Sequence, residues 1–147
     1  MAAAPANTAT RASFKFWITV PTRFRDLDPM SHVNSSVFFT YFESGRTEYF
    51  AATGISARRV KGKWGIPVVS QTCHYCQQVF HPSTLEVGVR CAEAAGKTVR
   101  VAYAIFLAGT DTLVAEGESI SVWVDLEIPK SVPLPDEIRN ALAAFES

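Results

Sequence analysis

The sequence predicts an α+β domain in which one long helix comes early and an antiparallel sheet follows, in the order β-α-β-β-β-β. Three observations carry this reading. Apolar and polar residues alternate over 14–20, switch to helical spacing after Asn34, and return to alternation beyond Ile66. The 147 residues correspond to one domain at roughly 100–200 residues per domain. Hydrophobic residues make up 48% against 19% charged, which excludes a disordered or low-complexity chain.

In residues 14–20, Phe14, Phe16, Ile18 and Val20 alternate with Lys15, Trp17 and Thr19, the period of a strand. Pro21 ends the regular pairing or marks a bulge. A polar turn over 23–31 holds Asp26, Asp28 and Pro29. From there Val37, Phe38, Tyr41, Phe42, Gly45 and Tyr49 follow i, i+3, i+4 spacing. Asn34, Ser35 and Ser36 are all competent N-caps and Gly54 suits the position after the helix, so a helix is predicted at about 35–52. Thr40, Glu43, Thr47 and Glu48 lie on its opposite face. Its aromatic bulk and the small Gly45 suggest close packing on a sheet. Strands follow over 66–79, 85–92, 99–107 and 113–125, with turns at 95–96 and 108–111, and read as a meander. Pro129, Pro133 and Pro135 break the pattern, and Asp136 is placed to cap a short helix over 137–145. Residues 1–13 are small, polar and free of acids and are expected to form a mobile tail, leaving 14–147 as the domain. Trp17, Tyr103, Phe106 and Trp123 exceed what one helix can shield, so a second copy of the chain is expected to cover the remainder.

Composition narrows the function. Lys+Arg 14 balances Asp+Glu 14, which gives no electrostatic case for a nucleic-acid partner. Three cysteines, Cys73, Cys76 and Cys91, form no even disulfide framework and point to a reduced, cytoplasmic setting. No apolar run approaches the ~18 residues of a membrane span, and no signal peptide is visible in 1–13. Cys73, His74, Cys76 and His81 invite a zinc reading. It fails because residues 73 and 76 of a strand point to opposite faces, so no metal is expected. No glycine-rich phosphate loop and no Gly-x-Ser-x-Gly elbow occurs.

The densest polar cluster runs from Arg23 to Asn34, between a strand and the start of the long helix. Such a junction suits chemistry on a carbonyl. The first N–H groups of a helix lack intrahelical partners and carry a partial positive charge, so they can hold an oxygen that is gaining negative charge. A carboxylate a few residues upstream can serve the same spot as nucleophile or general base. Asp28, six residues before Asn34, is the candidate. The alternative is that Asp26, Asp28 and Asn34 are turn and capping residues.

The run Arg25, Asp26, Leu27, Asp28, Pro29, Met30, Ser31, His32, Val33, Asn34, followed by Phe39, Tyr41, Phe42, Glu43, Arg46, Glu48 and Phe50, resembles the 4-hydroxybenzoyl-CoA thioesterase family. Pro67 and the strand holding Tyr75 extend the resemblance, which covers about residues 14–126. It implies the hotdog fold, a central helix wrapped by a five- or six-stranded antiparallel sheet. It also implies a homodimer or homotetramer with active sites at the subunit interface. The activity implied is hydrolysis of an acyl or aroyl thioester, with Asp28 at the catalytic position and coenzyme A or a carrier-protein pantetheine as the leaving thiol. No cofactor is needed beyond the coenzyme A of the substrate. On this reading the substrate oxygen meets backbone N–H groups near residues 34–36, and Asp28, His32, Asn34 and Ser35 are the candidate catalytic residues. His32 and Asn34 orient Asp28 or a water, or His32 only structures the loop. Asp26 pairs with Arg23 or Arg25. Tyr41 and Glu43 are candidate substrate-binding residues, with Glu43 either lining the neighbouring site or pairing with Arg46. Arg58, Arg59, Lys61 and Lys63 are either a solvated loop or a landing site for the coenzyme A phosphates, together with Lys97 or Arg100. Where the family commonly has two asparagines this chain has Asn34 and Ser35, and Ser31 stands before His32 in place of Gly or Gln. Two rivals share the fold: a dehydratase or hydratase using His32 with an acid, and a non-catalytic acyl-CoA binder.

Overall fold

The computed structural model describes residues 9–58 and 62–147. In chain order the elements are β1 (Phe16–Pro21), α1 (Val37–Ala52), α2 (Ile55–Arg58), β2 (Trp64–Gly65), β3 (Val68–Tyr75), β4 (Thr84–Ala95), β5 (Thr98–Leu107), β6 (Leu113–Val122), β7 (Val124–Asp125), β8 (Lys130–Ser131) and α3 (Asp136–Glu146). The main sheet has five antiparallel strands in the order β1-β4-β5-β6-β3, and β2, β7 and β8 form a small second sheet. The expected meander therefore holds only for β4 to β6. β1 already occupies the free side of β4, pairing Phe16 with Val89 through Pro21 with Thr84, so β3 finds its partner at the far edge, on β6.

Helix α1 lies on one face of this sheet. Alternate residues of β4 and β5 point toward it, and Leu85, Val87, Val89, Val101, Tyr103 and Ile105 are all buried. Phe42 stacks on Tyr103 with ring centroids 4.4 Å apart. Gly45 is where the backbones come closest: a Cβ there would lie 2.8 Å from Val89 Cγ2 and 3.2 Å from Val87 Cγ1. Arg46 donates to the Tyr103 hydroxyl at 2.9 Å, and that hydroxyl also meets Ser119 Oγ at 2.7 Å. This contact replaces the Glu43–Arg46 pair considered from the sequence. α1 begins two residues later than expected because the Asn34 side chain organises the preceding turn: its Oδ1 accepts from both the N–H and the hydroxyl of Ser36.

The other face of the sheet carries Phe14, Trp17, Ala104, Phe106 and Leu113. The chain covers it itself. Residues Arg11–Ser13 form a 3-10 turn, and the Arg11 guanidinium sits 4.7 Å from the Phe106 ring centroid and 5.2 Å from that of Trp17. Arg11 also bonds Glu86 and the Thr110 carbonyl. Residues 9–13, expected as part of a mobile tail, are thus held by cation–π contacts and an ion pair of Arg11. This also removes the surplus of apolar surface as an argument for a second copy, since Trp123 is likewise buried within the chain, its ring 5.6 Å from that of Trp64. Among the described residues no helix is long and apolar enough to cross a membrane.

Candidate active site

Between β1 and α1 the chain folds into a tight turn around Asp28. The Asp28 N–H donates to the His32 carbonyl at 2.8 Å, and the Ser31 N–H donates to the Asp28 carbonyl at 3.0 Å. Ser31 takes φ +67°, the left-handed region, which explains why a small residue or glycine suits this position. The Asp28 side chain folds back on the turn. Its Oδ1 accepts from the N–H of Met30 at 2.8 Å and of His32 at 3.2 Å. Two backbone donors thus fix the carboxylate plane. Among the described residues no hydrogen bond engages Oδ2. Val33 N–H then bonds the Val79 carbonyl, and His32 bridges to Phe80, which ties the turn to the loop after β3.

Asp26, two residues earlier, has a different role. It is 1% exposed and is held by the backbone and side chain of Arg23 and by the Tyr41 hydroxyl at 2.8 Å. Burial pushes its carboxyl up, but these donors outweigh burial and leave it below the usual carboxylate range. Burial, and then the bond to Asp26, push the Tyr41 hydroxyl up. Tyr41 is 2% exposed, so it supports the turn from inside and does not line the cleft as the sequence suggested.

Asp28, His32, Asn34, Ser35, Phe38, Tyr75 and Gln78 line a cleft of about 570 Å³ at the N-terminus of α1. All four of the expected catalytic residues, Asp28, His32, Asn34 and Ser35, border it. Of the backbone donors expected over residues 34–36, two are spent: the Asn34 N–H on the Asp26 carbonyl and the Ser36 N–H on Asn34 Oδ1. The Ser35 N–H makes no hydrogen bond among the described residues, so of these three backbone donors it alone is left without one. His32 contributes its backbone to Asp28, while its ring lies 5.0 Å from that of Phe80 in an edge-on contact.

The remaining candidates lie elsewhere. Glu43 borders a groove between α1 and β1, on the sheet edge opposite β3 and the cleft. Arg58 pairs with Glu137 and also bonds the Gly54 carbonyl. Lys63 pairs with Asp125 and Glu127, and Arg100 with Glu93. Arg58 and Lys63, expected as candidate phosphate ligands, thus each face carboxylates in this structure; Arg59 and Lys61 lie outside the described residues. No group of three or more His, Cys, Asp or Glu among the described residues is placed to hold a metal ion. Sequence reasoning passed over Gln77, Gln78 and Val79 as lining residues and saw Tyr75 only as part of a strand. No local pattern marks them, because they reach the cleft through the pairing of β3 with β6.

The chain matches the thioesterase-like superfamily over residues 22–142. No curated protein matches it. Among solved structures, the PA5185 protein of Pseudomonas aeruginosa is 29% identical, with a TM-score of 0.83 over 94% of this chain and 96% of that one. A thioesterase of Thermus thermophilus, solved with coenzyme A and zinc, is 28% identical, with a TM-score of 0.79 over 91% and 96%. A 1,4-dihydroxy-2-naphthoyl-CoA thioesterase of Synechocystis, at 18% identity and a TM-score of 0.77 over 90% and 98%, shares the fold. The helix laid on a five-stranded antiparallel sheet is thus the hotdog fold, and the chain belongs to the thioesterase-like superfamily.

Proposed function

We propose that the protein hydrolyses an acyl or aroyl thioester of coenzyme A to the free acid and the thiol. The observation that carries this is the Asp28 carboxylate, pinned by two backbone N–H groups in the cleft at the N-terminus of α1. A thioester carbonyl placed with its oxygen on the Ser35 N–H exposes its carbon to Asp28. Asp28 attacks that carbon, or takes the proton of a water that does. The tetrahedral oxyanion gathers charge at the helix N-terminus and collapses, and the C–S bond breaks with its electron pair leaving on sulfur; on the nucleophilic route water then cleaves the aspartyl anhydride to free acid and carboxylate, and on either route the proton released from water ends on the thiolate. Because a thiolate departs readily, the reaction asks for no metal. A neighbour at 28% identity solved with coenzyme A supports that carrier.

The reading includes a homodimer or larger assembly joined through sheet edges. It is supported by the open edge strand β3, where Val69 is 60% and Tyr75 49% exposed. A panel of acyl-CoA and aroyl-CoA thioesters with free-thiol detection tests the activity. Thiol release well above the uncatalysed rate is expected for at least one class. Tight acyl-CoA binding with no release by the wild-type protein would replace this reading with the non-catalytic one.

A further inference from the structure

The geometry points to Tyr75 as a positioning residue that holds the helix N-terminus in register with Asp28; this rests on the thioesterase reading above. Tyr75 is the last residue of β3, and its hydroxyl donates to the Ser35 carbonyl at 2.7 Å. Its ring meets Phe38 edge-on at 5.3 Å. Phe38 is itself 3% exposed in the first turn of α1, so the ring has a rigid seat.

The consequence follows from the peptide planes of the turn. The plane that carries the Ser35 N–H ends in the Asn34 carbonyl, which accepts from the Val37 N–H at 2.9 Å. The next plane runs from the Ser35 carbonyl to the Ser36 N–H. Its nitrogen end is held by Asn34 Oδ1 at 3.0 Å and its oxygen end by Tyr75. With both planes pinned, the Ser35 N–H points one way. Tyr75 provides the only one of these ties that comes from the sheet; the others arise within residues 34–37. It therefore locks the oxyanion donor to the sheet framework that also carries the loop after β3, to which the Asp28 turn is tied. Burial, and then the neighbouring Cys73, push the Tyr75 hydroxyl up, so it stays protonated and remains a donor at neutral pH.

Tyr75→Phe keeps the ring against Phe38 and deletes only the tether. Misplacing an oxyanion donor without removing it costs less than the ~10²–10³-fold of its full loss, so a fall in kcat of about tenfold is expected with KM unchanged. The melting temperature should stay near that of the wild type. Independently of activity, exchange of the Ser36 amide hydrogen, read by NMR, should accelerate about tenfold in Tyr75→Phe. Wild-type kcat together with wild-type Ser36 exchange would overturn the role of Tyr75, while an inactive Asp28→Asn in the same assay would leave the thioesterase reading standing. A fall in kcat matched by a rise in KM would also overturn it, because that pattern marks substrate contact and not positioning.

Discussion

Replacing Asp28 by Asn removes charge and basicity and little else. The structure explains why the substitution is clean. Only Oδ1 is engaged in the turn, by the N–H groups of Met30 and His32, and an asparagine oxygen accepts both bonds. The left-handed Ser31 and the bridges to the loop after β3 then persist. What is lost is the proposed nucleophile or base. The Ser35 N–H remains, so activity does not vanish. A group of this kind contributes about 10²–10⁴-fold, or roughly 2.7–5.4 kcal/mol of barrier at 1.36 kcal/mol per decade. The expected result is a loss of that size in kcat, with KM little changed and the melting temperature preserved. Thiol release from the best acyl-CoA of the panel, followed in the presence of a chromogenic disulfide, measures it. Asp28→Ala would confuse the test, since it strands two backbone donors and loosens the turn. An Asp28→Asn protein working within threefold of wild type would refute the catalytic assignment and return attention to His32.

Tyr41→Phe should lower stability by about 1.5–3 kcal/mol in urea unfolding, the range for a buried hydrogen bond to a charged group, and leave KM unchanged; a raised KM at unchanged stability would restore its substrate role. Asp26 titrates lower in the folded chain than in the unfolded one. Its contribution is therefore complete above its ordinary value of 3.8 and is lost as pH falls below that toward the folded value, so Asp26→Asn should flatten the acid limb of the stability curve while costing less turnover than Asp28→Asn. Replacing Arg58 and Lys63 by Ala should leave KM for acyl-CoA within twofold. The same change at Arg59 and Lys61 should raise KM for acyl-CoA but not for a pantetheine thioester, and equal effects on both substrates would end the phosphate role. Sedimentation at micromolar concentration should give a dimer or larger species, and Val69→Lys on the open edge of β3 should weaken it; a stable wild-type monomer would contradict the proposed assembly.

Periodicity made the elements legible. α1, β4, β5 and β6 emerged near their true ends because each turns a regularly spaced set of apolar residues to the core, and that spacing is written into the chain. The position of β3 was not legible, since strand order depends on which edge is vacant and not on the strand's own residues. The site divided in the same way. Asp28 and Asn34 announce themselves as turn and cap residues beside a helix start, and Asp26 with Arg23 was readable as a local pair. Tyr41 was not separable from a substrate contact, because a helical tyrosine facing inward looks the same whether its hydroxyl meets a ligand or a buried carboxylate. The pairing of the basic loop was not legible for a related reason: Glu137, Asp125 and Glu127, which pair with Arg58 and Lys63, lie more than sixty residues away in sequence.

The clearance at Gly45 limits how this site can vary. With no side chain at that position, helix and sheet touch already, and even one added methyl would have to displace Val89. From Gly45 to the first turn at Val37 is about 12 Å along the axis, so a shift at the contact point would swing the end that borders the cleft like the tip of a lever. Making room in the cleft by pressing α1 closer to the sheet is therefore closed to this chain. Room for a different substrate has to come from the rim, from the exposed Gln77 and Gln78 of the loop after β3, for whose side chains no hydrogen bond to the Asp28 turn is seen among the described residues. Libraries aimed at altered chain length belong on that loop, with the helix left untouched.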